Sequence, residues 1–135
     1  NDYRCIMLLI YDLWKDTNDS SLAQILVHEF VHVVVNEKTL FKRPNWLNEG
    51  LALYFAGQIE DMGRVNVIEN NKSLYLMGYD DNHFYKLSGL TTEKLIEAYG
   101  VEKIISKLNH KTDYINDDIL GEKNILEIAK DLVKL

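Results

Sequence analysis

The chain predicts an α+β domain, mainly helical, in which a small strand region packs on two consecutive helices that carry the chemistry. Three observations lead there. Apolar residues recur at helical spacings over residues 21–35, 46–56, 83–87, 92–99, 101–108 and 122–134. Three short apolar runs bounded by polar or turn residues, at 5–13, 65–68 and 74–77, have strand length instead. Finally, 135 residues, 47% of them hydrophobic and 27% charged, suffice for one core burying roughly two thirds of the unfolded surface. The whole of 1–135 therefore reads as a single compact domain.

Residues 5–13, rich in Ile and Leu and ended by Trp14-Lys15-Asp16, are expected as the first strand. Ser21 followed by Gln24 has the form of a capping box, and a helix over 21–35 follows. That helix is apolar almost all round, which predicts central burial. There His28, Glu29 and His32 would be costly unless they bind something. Residues 36–43 read as a polar connector. Pro44-Asn45 then supplies a break and an N-cap for a second helix over 46–56, stopped by Gly57. Gly50 within it costs about 1 kcal/mol, a cost that makes sense where another backbone comes close. Beyond a polar stretch, residues 92–99 end at Gly100, and 122–134 set Ile125, Ile128, Ala129, Leu132 and Val133 on one face.

The pattern His28-Glu29-Phe30-Val31-His32 is the chemical centre of the chain. Residues four apart on a helix share a face, so both imidazoles can reach one metal ion. Glu29 lies about 100° round the helix, placed to address water beside the metal. Composition alone yields the pattern on the order of once in a hundred such chains. A core histidine bonded to a carbonyl is the structural alternative.

Fifteen basic against twenty-one acidic residues give a net charge of −6, which argues against a nucleic-acid partner. Cys5 is the only cysteine, so a Cys-rich zinc set and an internal disulfide are excluded and any metal falls to His and carboxylate. One thiol slightly favours the cytoplasm, although a chain beginning at Asn1 leaves a secreted or anchored form open. No apolar run approaches the roughly 20 residues of a membrane span.

Downstream, Pro44-Asn45-Trp46-Leu47-Asn48-Glu49-Gly50-Leu51-Ala52-Leu53-Tyr54-Phe55 resembles the glutamate-helix signature of the gluzincin zinc peptidases, in which W-L-N-E-G-hydrophobic-A recurs. Weaker echoes of the compact peptidase-MA-like group and its minimal members, the minigluzincins, continue at 84–88 and 98–104, and about two thirds of the chain is covered. The resemblance implies one catalytic Zn2+ held by His28, His32 and Glu49. It implies a metallopeptidase that hydrolyses peptide bonds with a water on the zinc, activated by Glu29. Sixteen residues separate His32 from Glu49, fewer than in the large aminopeptidases, and no G-x-M-E-N motif is present. Endopeptidase action on a peptide or protein substrate is therefore expected.

In some gluzincins an Asp one turn after the ligand Glu orients a histidine. Here Ala52 and Leu53 stand there, so the orienting group must come from elsewhere. A second oxyanion donor is expected from Tyr85, with His83 and His110 as rivals and aromatic packing as the structural alternative for Tyr85. The competing function is a zinc-stapled, autoinhibited or regulatory module of the same fold, with residues 122–134 either in the core or over the site. A regulatory protease acting on one protein partner is a third.

Overall fold

Every regular element among the described residues, 20–60, 73–81 and 83–133 of the computed structural model, is helical. In chain order these are α1 (Ser20–Thr39), α2 (Asn45–Phe55), a 3-10 turn (Leu74–Leu76), α3 (Phe84–Tyr99), α4 (Val101–Ser106) and α5 (Glu122–Val133). The α+β expectation is thereby corrected. Among the described residues there is neither strand nor sheet.

Two of the expected strands, 5–13 and 65–68, lie outside the described residues. The third, 74–77, winds into the 3-10 turn. Ser73 Oγ accepts from the Tyr75 amide at 3.2 Å, and the Leu76 and Met77 amides bond back to Ser73 and Leu74 carbonyls at 2.9 and 3.3 Å. The backbone is satisfied locally, so no partner strand is needed. Tyr75 locks the turn in place, its hydroxyl donating to the Leu120 and Tyr114 carbonyls.

Helix α1 runs a turn beyond its expected end, through part of the segment read as a connector. Thr39 caps this extension inward, donating its hydroxyl to the Val35 carbonyl at 2.7 Å. Leu40 and Phe41 then reverse the chain with φ of 51° and 64°. Arg43 braces the reversal, donating to Asn36 Oδ1 at 2.9 Å and to Asn45 Oδ1 at 2.8 Å. With its side-chain oxygen taken by Arg43, Asn45 is the first helical residue, and extended Pro44 occupies the N-cap position instead.

Central burial falls on α2 rather than α1. Trp46, Leu47, Leu51 and Ala52 are wholly enclosed between α1 and α3. By contrast α1 buries Leu22, Val33 and Val35 and leaves Val27 and Phe30 exposed. The close approach foreshadowed by Gly50 is real: a Cβ there would stand 1.9 Å from Thr92 Oγ1 and 2.5 Å from the Ser88 carbonyl. Those residues lie on α3, one continuous helix where two stretches were expected. Ser88, Gly89, Thr91 and Thr92, which weaken the apolar pattern, are small enough to lie buried at the crossing.

Gly100, at φ 88°, separates α3 from α4. Asp117 then organises the connection to α5, accepting from the Ile119 and Leu120 amides at 2.9 and 2.8 Å and from Lys107 Nζ at 2.9 Å. Helix α5 packs on α3 and the 3-10 turn, with Ile125 and Ala129 buried. Its apolar face is part of the core. No helix among the described residues is long and apolar enough to cross a membrane.

Candidate metal centre

One turn apart on α1, His28 and His32 stand edge to face with ring centroids 4.8 Å apart. The crossing of α1 and α2 sets Glu49 between them. His28 Nε2 is 3.4 Å from Glu49 Oε2, and His32 Nε2 is 3.3 Å from Glu49 Oε1. One ligand atom from each residue lies within 4.8 Å of the others. Among the described residues this is the one such gathering of His, Cys, Asp or Glu side chains.

These separations exceed the 2.7–2.9 Å of a charge-assisted hydrogen bond. Two donors each about 2.0–2.1 Å from a tetrahedral zinc would themselves lie roughly 3.3–3.4 Å apart. Glu49 is 7% exposed, and its Oε2 is buried without a hydrogen bond. An orphaned carboxylate oxygen between two imidazoles is expensive unless a cation satisfies it. The donor set therefore fits a metal such as zinc.

Without metal the three groups form an ion cluster. The neighbouring Glu49 carboxylate raises the His28 pKa, against an opposing effect of burial, and Gln58 adds to the rise. Burial works against charge on His32, but Glu49 and then Asn48 outweigh it and leave that pKa raised as well. For Glu49, burial opposes ionisation, yet the two histidines bring its pKa down to about 2.

Glu29 follows His28 on α1, is half-buried, and its charge helps to raise the His32 pKa. Tyr85, near the start of α3, is 41% exposed. Burial and then the charge of Glu49 raise its phenol pKa. His83 precedes α3 in a left-handed conformation, φ 66°, and His110 is exposed in the segment after α4. Neither joins the cluster.

Three neighbours of the centre escaped the sequence. Tyr79 packs against Phe84 at 5.3 Å and Tyr85 at 6.1 Å between centroids, and its phenol pKa is raised by burial and then by Glu49. Asn48 is buried beside His32, with Asn48 Oδ1 and His32 Nδ1 both lacking a hydrogen bond. Gln58 Oε1 lies 2.7 Å from His28 Nδ1.

The Gln58 contact follows from how α2 ends. Gly57, at φ 67°, takes the left-handed C′ place, its amide bonding to the Tyr54 carbonyl at 3.1 Å and the Gln58 amide to the Leu53 carbonyl at 3.0 Å. That pair of bonds is a Schellman cap. Gly57 was legible as a helix stop, but nothing in the spacing reveals that the next side chain meets a histidine thirty residues earlier.

Among the described residues, fold and site together give a helical domain whose first two helices bring His28, His32 and Glu49 into a cluster that could hold a metal ion. Comparison with protein-family models, curated proteins and solved structures finds no match to this chain.

Proposed function

We propose that this chain is a small zinc metallopeptidase of gluzincin type, acting as an endopeptidase. The observation that carries this reading is the convergence of His28 and His32 with a buried, incompletely bonded Glu49. Its support in sequence is the HExxH pattern followed by W-L-N-E-G. In this reading His28, His32 and Glu49 hold the ion. Three protein ligands are the pattern of a catalytic rather than a closed structural site.

The chemistry supplied by zinc when bound is Lewis acidity toward a carbonyl and a water pKa lowered toward roughly 7. Glu29 takes the proton of the attacking water and later returns it to the leaving amine. The Tyr85 hydroxyl donates to the oxygen of the scissile carbonyl as charge develops there. Its partial exposure leaves it accessible to substrate. The exposed aromatic rings of Tyr79 and Tyr85 form the surface against which a substrate aligns.

The decisive experiment is cleavage of casein or a peptide library by the purified protein, with and without chelator, beside Glu29→Gln. Chelator-sensitive cleavage is expected. The variant should bind zinc as the parent does and lose at least about 100-fold in rate. Bound zinc with no cleavage by the parent would favour the zinc-stapled module, and full activity in Glu29→Gln would remove Glu29 as base.

A further inference from the structure

We propose that Gln58 is the positioning residue of the metal centre: its side-chain carbonyl holds the His28 ring so that Nε2, not Nδ1, faces Glu49. This rests on the reading of His28 as a metal ligand. Gln58 Oε1 and His28 Nδ1 are 2.7 Å apart. An amide oxygen can only accept, so Nδ1 carries the proton and the neutral ring turns its Nε2 lone pair to the site. With the amide reversed, Gln58 would donate to Nδ1. The proton would then sit on Nε2, on the side where a metal must bind.

The surrounding backbone makes Gln58 a fixed brace. Its amide is tied to the Leu53 carbonyl at 3.0 Å through the Gly57 turn. The Gly57 carbonyl in turn accepts from Gln24 Nε2 at 3.1 Å. Gln24 lies one turn before His28 on α1, so α1 grips the end of α2 at two points, and the second is the metal-ligating histidine itself. This supplies the orienting group that Ala52 and Leu53 cannot. A neutral amide adds no charge to the centre, whereas a carboxylate in its place would make His28 a stronger base and donor.

Zinc affinity is to be measured by competition with a chromophoric chelator on the parent, Gln58→Leu, Gln58→Glu and Glu49→Ala, with circular dichroism on each. Gln58→Leu is expected to bind zinc roughly 10- to 100-fold more weakly with its helical spectrum unchanged, and Gln58→Glu to regain or exceed parental affinity. Parental affinity in Gln58→Leu, or an equal loss in both variants, overturns the role. If Gln58→Leu folds poorly, Gln24→Ala, which removes only the brace on Gly57, should show a smaller loss in the same direction; no loss there counts against the proposal. A second readout needs no metal. At a pH where the ring is neutral, nitrogen-15 spectra should show the His28 proton on Nδ1 in the parent and redistributed toward Nε2 in Gln58→Leu, and a proton on Nε2 in the parent would overturn the orientation. Zinc binding indifferent to Glu49→Ala would remove the metal reading and this role with it. Binding that needs Glu49 but ignores Gln58 would remove this role alone.

Discussion

Glu49 has one carboxylate to serve two histidines, and that arithmetic governs the centre. In the metal-free protein it raises both histidine pKa values and is itself held at about 2. Glu49→Ala should therefore do two separable things. Zinc content by elemental analysis should fall, and in metal-free protein the His28 and His32 titrations, followed by their ring-proton resonances, should move down. Burial, which disfavours charge on both rings, is then left less opposed. Titrations unmoved by the substitution would mean that the carboxylate does not address the histidines. At this scale the convergence of His28, His32 and Glu49 was legible from their spacing and setting. Gln58, Asn48 and Tyr79 were not, since each reaches the site by a turn or crossing that leaves no periodic mark on the chain.

Among the elements, the close crossing of α2 and α3 seats the helix that carries Glu49. Gly50 allows it, because α3 presents the Ser88 carbonyl and Thr92 side chain where any Cβ would go. Gly50→Ala is expected to destabilise the fold by about 3 kcal/mol, the upper part of the usual cost of overpacking, read as a lower urea midpoint. Thr92→Ala added to it should recover only part of the loss, since the Ser88 carbonyl remains in place. An alanine variant as stable as the parent would mean that the helices cross less tightly than described. The helices themselves were readable from periodicity, though α1 runs further and α3 is unbroken. The strand expectation over 74–77 failed because a four-residue apolar run reports burial rather than period, and Ser73 and Tyr75 resolve it as a turn.

For the whole molecule, the ion cluster links stability to pH and to metal. A histidine whose pKa is raised by folding stabilises the fold below its ordinary 6.5, and that contribution fades as pH rises through the raised value. Glu49, with its pKa lowered, contributes above its ordinary 4.5 and loses the contribution as pH falls toward about 2. The metal-free cluster should thus stabilise most between those ordinary values, and urea titrations across pH would reveal it. Zinc requires neutral histidines, so its affinity should instead climb with pH through the raised histidine values. At 100 times the dissociation constant zinc should add about 2.7 kcal/mol, a rise of roughly 10 °C in Tm for a domain of this size. A Tm indifferent to zinc at neutral pH would show that the folded state does not bind it preferentially.

The amino-acid order by itself determined that two imidazoles share one helix face with a carboxylate beside them, that a second glutamate follows on a glycine-containing helix, and that helices dominate the described residues. These are local matters, set by a 3.6-residue repeat and by caps and stops within a few residues of one another. Only the tertiary structure decided that α2 rather than α1 is the buried helix, that Gly50 faces α3, and that Gln58 closes on His28. Those depend on which helix surfaces meet, and a side chain's long-range partner is selected by packing of the whole domain, for which sequence spacing carries no period.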